Sequence, residues 1–300
     1  MRLRLDPLAS TLPSCPMDRT LTLSFSCPDT SGIVAEVSSF IAQHQGWITE
    51  ASQHSETELS RFFMRVEMRA SSFTFPAEEF GTRFTPIAQK YKMDWLLSDS
   101  QKPRRVILLC SKQEHCLYDL LARHVAQDFA FIVPCVISNH EDHRKIVEAH
   151  GIPFHYIPVT PENKDAAYRQ METIFRQEKA DLIVLARYMQ VLDAQLCRNF
   201  AGKIINIHHS FLPSFAGAKP YHQAHRRGVK LIGATCHFVT PDLDEGPIVE
   251  QDVIRVDHSD SPEDMVELGK DIEKVVLARG LRAVVEDRVL LAGHKTVVFR

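Results

Sequence analysis

The chain has 300 residues, of which 44% are hydrophobic and 24% charged, so it can bury the core of one large domain or of two smaller ones. The formal net charge of -3 and the dispersed basic residues exclude a strong electrostatic field, and we expect no nucleic-acid partner. No apolar run approaches the roughly 18 to 20 residues that a membrane-spanning helix needs, and we expect no membrane partner.

Residues 1–17 contain serines and prolines but lack the apolar centre of a signal peptide, and we interpret them as an extension. The seven cysteines are odd in number and scattered, and none forms a Cys-x-x-Cys pair. These features favour a reducing compartment, so we expect a cytoplasmic protein.

Residues 18–98 predict a small α/β unit. Leu21, Leu23 and Phe25 alternate as in a half-buried strand, and helical spacing begins at Ile33 after a turn. Two strands over 47–55 and 59–68, an amphipathic helix over 77–91 and a last strand over 93–97 complete the pattern. The resulting order, βαββαβ, is that of a ferredoxin-like fold.

The loop over 26–34 resembles the strand-to-helix loop of the ACT domain, a small amino-acid-sensing module. Gly32 permits a close backbone approach, and free amides at the start of the next helix can receive a carboxylate. The resemblance therefore implies a regulatory amino-acid effector at Asp29, Gly32 and Ile33. A plain turn in which Ser31 or Asp29 caps the helix is the alternative. Because such modules usually pair sheet to sheet, we also expect a homo-oligomer.

Residues 99–103 are polar and include Pro103, which is typical of a linker. From 104 to 300, strands alternate with helices, and this pattern predicts a Rossmann-like, mostly parallel sheet. The predicted strands cover 106–110, 129–138, 155–158, 181–186, 203–207, 232–239 and 296–299, and the predicted helices cover 116–125, 142–150, 162–178 and 262–287. Ligands of such sheets bind at the carboxyl ends of the strands.

Two of these strands lead to polar side chains that suit attack on a small carbonyl. The strand over 203–207 delivers Asn206 and then His208, and the loop after the strand over 232–239 carries Asp244. An amide can donate to a developing oxyanion, an imidazole can stabilise it or move a proton, and a carboxylate can accept a proton from a nucleophile. A strand-end amide, a structural histidine and an aspartate that caps a turn are the alternatives.

Four segments here resemble the signature of the folate-dependent formyltransferase family: Asn206-Ile-His208, Ser210-Phe-Leu-Pro213, His237-Phe-Val-Thr240 and Leu243-Asp-Glu-Gly-Pro247. The resemblance implies that Asn206, His208 and Asp244 are catalytic. Asn206 and His208 would stabilise the oxyanion of the formyl group, and Asp244 would position and deprotonate the nucleophile. His237 and His209 would support these residues without carrying a proton.

The segment after the strand over 181–186 resembles the apolar loop with which this family receives the pterin ring. An ordinary connection between a strand and a helix is the alternative. The residues that the resemblance assigns to folate binding lie on two sides of a slot: Met189, Gln190 and Leu192 on one side, and Val239, Thr240, Pro241 and Asp242 on the other.

The loop over 109–116 separates two branches of the family. Glycinamide ribonucleotide formyltransferases have a glycine- and serine-rich loop here that cradles a phosphate, whereas this loop has no glycine. With His209 and the segment 217–222, it resembles the formyltetrahydrofolate deformylases, in which water replaces the amine. The resemblance implies hydrolysis of 10-formyltetrahydrofolate to tetrahydrofolate and formate, which supplies formate for purine biosynthesis and balances the one-carbon pool.

A formyltransferase that uses an amine acceptor and a metal-dependent hydrolase are the alternative activities, and an amino-acid sensor with an inactive enzyme domain is a third alternative. His222 and His225 could share a helix face and suggest a metal site with His208 and His209. No carboxylate or thiol lies beside them at a known ligand spacing. We therefore expect no metal and no cofactor, with the folate as substrate.

Overall fold

A four-stranded antiparallel sheet forms the N-terminal part of the protein, for which a computed structural model describes residues 19–213 and 220–300. Its elements are β1 (Thr20–Pro28), α1 (Ile33–Gln43), β2 (Trp47–Glu56), β3 (Arg61–Arg69), α2 (Phe80–Lys90) and β4 (Asp94–Asp99). The strand order β2-β3-β1-β4 confirms the ferredoxin-like prediction. The helix predicted over 77–91 begins instead as a 3-10 turn, Ala77–Glu79, before α2. The predicted extension over 1–17 lies outside the described residues.

Both faces of this sheet are covered. The apolar stripe of α1, with Val37 and Ile41, packs with Phe80 and Phe84 of α2 against one face. On the opposite face, Phe63 of β3 packs against two residues from the C-terminus of the chain, Ala292 and Phe299. The sheet is therefore joined to the rest of the protein through its second face.

A larger sheet of eight strands follows a turn over residues 100–103. Its strands are β5 (Arg104–Cys110), β6 (Phe131–Ile132), β7 (Val136–Ser138), β8 (Phe154–Tyr156), β9 (Leu182–Ala186), β10 (Ile204–His208), β11 (Leu231–Phe238) and β12 (Ile248–Arg255). The order is β12-β11-β10-β9-β5-β7-β8, with β6 beside β5. The pairs from β10 to β8 are parallel, and β11 and β12 are antiparallel, which confirms a mostly parallel, Rossmann-like sheet.

Helices cover both faces of this sheet, because alternate residues of the central strands face opposite sides. Leu108 of β5 belongs to one core with Leu117 and Leu281, and its neighbour Leu109 belongs to another with Phe175. The helices are α3 (His115–Ala126), α4 (Arg144–Ala149), α5 (Lys164–Gln177), α6 (Ala194–Asn199), α7 (Pro220–Arg227) and α8 (Pro262–Val285).

Helix α8 is 24 residues long and starts with a capping box between Ser261 and Asp264. Its far end meets the smaller sheet, where Arg65 of β3 donates from Nε to the Glu286 carbonyl at 3.1 Å. Arg104 also donates to Asp287 at 2.5 Å. A hairpin, β13 (Val289–Ala292) and β14 (Lys295–Val298), ends the chain.

One predicted strand is wrong. The strand predicted over 129–138 is two short strands, β6 and β7, which pair with different parts of β5. Pro134 lies between them, and a proline has no N–H to donate to a sheet ladder. Helix α6, which begins where Asp193 accepts a hydrogen bond from the Leu196 amide, and strand β13 were not predicted.

The six cysteines of the described residues are all buried and free. Among the helices that the structure describes, none is both long and apolar enough to cross a membrane.

Candidate active site

The centre of the site is the place where β10 and β11 lie side by side. Asn206 and His237 are paired in the antiparallel register, and Asn206 Nδ2 lies 3.2 Å from His237 Nε2. His237 Nδ1 is 2.8 Å from the Phe238 carbonyl, which can only accept, so Nδ1 carries the proton and Nε2 receives the one from Asn206. Burial lowers the pKa of His237 and keeps the ring neutral. His237 thereby fixes which end of the Asn206 amide donates.

Asp244 approaches the same point from the loop between β11 and β12. Its Oδ1 lies 3.2 Å from His208 Nδ1 and 3.7 Å from His237 Nε2. The hydrogen bond from His208 holds the pKa of Asp244 below its usual value, although partial burial opposes that shift, so the carboxyl is ionised. Within the described residues, His208 Nε2 is buried without a hydrogen-bond partner. The predicted trio of Asn206, His208 and Asp244 is thus brought together.

The loop that carries Asp244 is pressed against the end of β11. Asp244 itself has a φ of 58°, in the left-handed region. A Cβ added to Gly246 would overlap with the carbonyl oxygen of Phe238, and the Phe238 amide donates to the Pro247 carbonyl at 2.8 Å. Only a glycine at position 246 permits this approach. The backbone therefore determines where the Asp244 carboxylate lies.

His209 stands behind His208, with ring centroids 5.2 Å apart, and faces Tyr221 at 6.4 Å. Burial, and then the charge of Arg187, lower the pKa of His209 to about 4, so the ring is neutral at pH 7. It has no contact with Asp244 or Asn206 among the described hydrogen bonds. A supporting role for His209 stays a prediction.

A cavity of about 570 Å³ opens in front of the trio. Ser111 accepts from the Met189 amide at 2.9 Å and Tyr168 donates to the Val191 carbonyl at 2.6 Å, which fixes one wall. The seven residues predicted to bind folate all line this cavity: Met189, Gln190, Leu192, Val239, Thr240, Pro241 and Asp242. The two predicted sides of the slot therefore face one space.

A charged part of the cavity was missed by the sequence analysis. Glu273 of α8 is 2% exposed, and it accepts from His115 Nε2 at 2.7 Å and from the Tyr221 hydroxyl at 2.7 Å. Arg187 lies 3.3 Å from the same carboxylate and donates from Nε to Gln113 at 2.6 Å. Burial alone would raise the pKa of Glu273, but His115 and Arg187 lower it below its usual value, so the carboxyl is ionised.

The sequence did hold a signal for this residue. Met265, Gly269 and Glu273 follow one another at intervals of four in α8, and Leu277 continues the series, so Glu273 falls on the buried stripe of the helix. A carboxylate on such a stripe requires a partner.

His115, Cys116 and Glu273 lie close enough to share a metal ion. The site does not fit one, because the Glu273 carboxylate is already occupied by donors and the cationic Arg187 stands beside it. Burial also raises the pKa of the Cys116 thiol well above its usual value, which keeps it protonated. His222 lines the cavity. Neither it nor His225 joins a ligand cluster in the part of the chain that the structure describes.

The β1–α1 loop carries the predicted regulatory residues. Gly32 precedes α1 with a φ of 91°, and no side chain caps the helix, so the alternative of a cap from Ser31 or Asp29 is wrong. The Asp29 carboxylate instead accepts from the Ser55 hydroxyl. Asp29 and Gly32 are exposed, and Ile33 is buried.

Comparison with known proteins assigns this chain to a class. A model of the formyl transferase family matches residues 104–281. Formyltetrahydrofolate deformylase of Synechocystis sp. is 45% identical over 280 residues, which are 93% of this chain and 98% of that protein. A crystal structure of a formyltetrahydrofolate deformylase from Pseudomonas syringae pv. tomato matches with a TM-score of 0.93 and 55% identity, over 96% of each chain. The chain belongs to the formyltetrahydrofolate deformylase family.

Glycinamide ribonucleotide transformylase 1 from Symbiobacterium toebii is a more distant structural neighbour. It has a TM-score of 0.62 and 27% identity, over 66% of this chain and 95% of the transformylase. The shared part is thus nearly the whole transformylase and only two thirds of this protein.

Proposed function

We propose that this protein hydrolyses 10-formyltetrahydrofolate to tetrahydrofolate and formate. The observation that carries the proposal is the convergence of Asn206, His208 and Asp244 on one cavity, whose other wall is lined by the apolar loop after β9. The family membership supports it, since relatives at 38–45% identity over more than nine tenths of the chain carry the name formyltetrahydrofolate deformylase.

In the proposed mechanism, the ionised Asp244 holds a water against the formyl carbon and takes up its proton as the new C–O bond forms. Asn206 Nδ2 stabilises the negative charge on the former carbonyl oxygen, and His208 does so from Nε2 when both of its ring nitrogens carry a proton, since Nδ1 donates to Asp244. Collapse of the tetrahedral intermediate breaks the C–N bond, and the folate nitrogen receives the proton. The formic acid then loses its remaining proton, so the balance is formyl-folate and water in, and folate amine, formate and H⁺ out.

Asn206 is the donor most firmly set for this role, because His237 and the Phe238 carbonyl fix its amide. Loss of one such donor costs roughly 3 kcal/mol of transition-state stabilisation. Asn206→Ala should therefore lower kcat about 100-fold. Binding of tetrahydrofolate should stay within about twofold, since the apolar wall is untouched.

Transfer to an amine acceptor is not favoured. The loop after β5 is not free to cradle a phosphate, because Ser111 donates to Asn139 at 2.7 Å and Gln113 accepts from Arg187 at 2.6 Å. The buried Arg187 and Glu273 occupy the remaining space beside these residues. Water is the nucleophile that such a site admits.

The deciding experiment measures formate released from 10-formyltetrahydrofolate without an amine acceptor, in a buffer that contains a chelator. We expect turnover in the wild type and loss of turnover in Asn206→Ala. Turnover to tetrahydrofolate that requires an added amine, with the formyl group recovered on that amine and not as formate, would support the transferase instead. Loss of wild-type turnover to the chelator would contradict a mechanism without metal, and we propose that neither metal nor cofactor takes part.

We also propose an amino-acid effector at Asp29, Gly32 and Ile33. It is supported by the resemblance to ACT domains and by the helix start that no side chain caps. Glycine or methionine should raise Tm and change kcat if the effector site exists, and an unchanged Tm with both would contradict it.

We also propose that the protein forms a homo-oligomer and that it is cytoplasmic. Trp47 is 61% exposed on the edge strand β2, as a surface for sheet pairing would require. Sedimentation should show more than one chain per particle.

A further inference from the structure

The charged part of the cavity contains a guanidinium that the proposed reaction does not use. Arg187 follows β9 directly, is 7% exposed, and lines the same cavity as Asn206 and His208. Its backbone has a φ of 60°, a left-handed conformation that side-chain-bearing residues adopt at a cost. The chain therefore keeps a buried cation next to the reacting groups in a strained position.

The surroundings of Arg187 fix its head group and leave part of it free. Nε donates to Gln113 at 2.6 Å, and the Glu273 carboxylate lies 3.3 Å away. Glu273 is held in turn by His115 and Tyr221, so it cannot turn away. Among the described residues, no hydrogen-bond partner is seen for the two terminal nitrogens of Arg187. Neither terminal nitrogen belongs to the fully buried side-chain atoms that lack a hydrogen-bond partner, so both retain some exposure to the cavity or to solvent.

We propose that Arg187 binds the carboxylate of formate, the small product, through these two terminal nitrogens. The inference rests on the proposed hydrolysis. A guanidinium presents two parallel N–H groups that match the two oxygens of a carboxylate. The formyl group of the substrate is neutral and has one oxygen, so it gains much less from this contact. The interaction grows as the second oxygen is added and negative charge develops.

The charge of this part of the cavity favours an anion. Gln113, His209 and Tyr221 line the same cavity as Arg187, and Gln113 accepts from its Nε at 2.6 Å. His209 is neutral at pH 7, so among the described residues that line this part of the cavity Arg187 is the buried cation. Lys270, which also lines the cavity, is paired with Glu267 at 2.7 Å. Formate is the carboxylate that the proposed reaction generates in this cavity.

Formate binding is tested directly on the folate-free enzyme by titration of ¹³C-formate and observation of its NMR line width. Product inhibition by formate and by tetrahydrofolate is then measured in the hydrolysis assay. Arg187→Gln should weaken formate binding about 10- to 100-fold, because a charge-assisted pair is lost. Inhibition by tetrahydrofolate should change by less than about twofold. The matched control is Arg198→Gln, which removes an exposed guanidinium of α6 and should leave both constants unchanged.

Equal formate binding by the wild type and Arg187→Gln would overturn the inference. Absence of formate binding by the wild type, in a titration matched for ionic strength with chloride, would also overturn it. An equal loss of formate and tetrahydrofolate affinity would show that Arg187 only supports the cavity. Because binding of formate is measured without substrate, these outcomes are distinct from a failure of the hydrolysis itself.

A second variant covers the case in which Arg187→Gln does not fold. Gln113→Glu places a carboxylate of the same size beside Arg187 Nε and should compete with formate for the guanidinium. We expect formate to bind at least about fivefold more weakly, with tetrahydrofolate inhibition nearly unchanged. Unchanged formate binding in this variant would contradict the inference.

Discussion

The catalytic edge at β10 and β11 and the β1–α1 loop both lie at strand ends, but they are built differently. At the catalytic edge, side chains from three separate segments hold one another, as His237 holds Asn206 and His208 holds Asp244. In the β1–α1 loop, the exposed Asp29 contacts one exposed hydroxyl, and Gly32 contributes only backbone.

The difference shows where a chemical role can be recognised. Buried polar groups that hydrogen-bond one another have one arrangement. For each of them the position of the proton and the direction of the hydrogen bond can be assigned. An exposed loop has no such constraint, and its contacts with water and with a ligand are similar in strength. Substitutions should therefore have large and specific effects at the catalytic edge and small effects in the loop.

The largest effect is expected from Asp244→Asn. The amide cannot take the proton of water, so kcat should fall about 1000-fold, while tetrahydrofolate still binds because the slot is intact. Formate release and a folate-binding titration check the two parts. Glu245→Gln, which neutralises the exposed neighbour of Asp244, is the matched control. Near-normal hydrolysis by Asp244→Asn would remove this residue from its role.

The next effect tests whether the backbone positions the carboxylate. In Gly246→Ala the new Cβ would overlap with the Phe238 carbonyl, so the loop must move. We expect a loss of roughly 2 to 5 kcal/mol in the free energy of unfolding, together with loss of activity.

The control for that substitution is Gly151→Ala, where φ is 72° and nothing lies within 4 Å of the added Cβ. Strain alone should cost about 1 kcal/mol there, with kcat unchanged. Denaturant unfolding separates the two values. Similar losses in both variants would mean that the close approach at Gly246 has no special effect.

A smaller effect concerns His209 and pH. Burial lowers its pKa from 6.5 to about 4. Between these two pH values His209 is protonated in the unfolded chain and neutral in the folded chain. The contribution of His209 to the free energy of unfolding is fully present above pH 6.5 and is lost as the pH falls toward 4. The loss amounts to roughly 3 kcal/mol. In His209→Gln the free energy of unfolding should depend less on pH in this window. An identical pH profile would show that His209 does not contribute.

The smallest effect is expected in the β1–α1 loop. Ser55→Ala removes the side-chain hydroxyl that Asp29 accepts from, and both residues are exposed. The free energy of unfolding should change by less than about 0.5 kcal/mol, and kcat without effector should not change. A loss of 2 kcal/mol or more would show that the loop is as firmly built as the catalytic edge.

Much of the fold could be predicted from the sequence, because strand and helix periods are local. The alternation at Leu21, Leu23 and Phe25 and the long helix after Ser261 were both visible. The prediction of a single strand over 129–138 was wrong because it followed the apolar character of the segment and gave too little weight to Pro134. Strand β13 was not predicted, although its partner β14 is equally short and was predicted.

The candidate site likewise has a part that could be predicted from the sequence and a part that could not. Asn206, His208 and Asp244 lie within 39 positions of one another, on neighbouring strands and their loop, so adjacent strand ends indicated their meeting. Arg187 and Glu273 come from separate elements, and a contact across such a distance in sequence leaves no local pattern. Only the carboxylate on the buried stripe of α8 signalled that a partner was needed.

The six buried thiols provide a separate monitor for each sheet. Cys27 lies in the core of the four-stranded sheet, and Cys110, Cys116, Cys135, Cys197 and Cys236 lie in the cores of the larger one. Burial raises the pKa of Cys27 and of Cys236, so alkylation requires exposure to water. Brief alkylation during partial denaturation, followed by peptide mass spectrometry, would show which sheet opens first without any label being engineered into the protein.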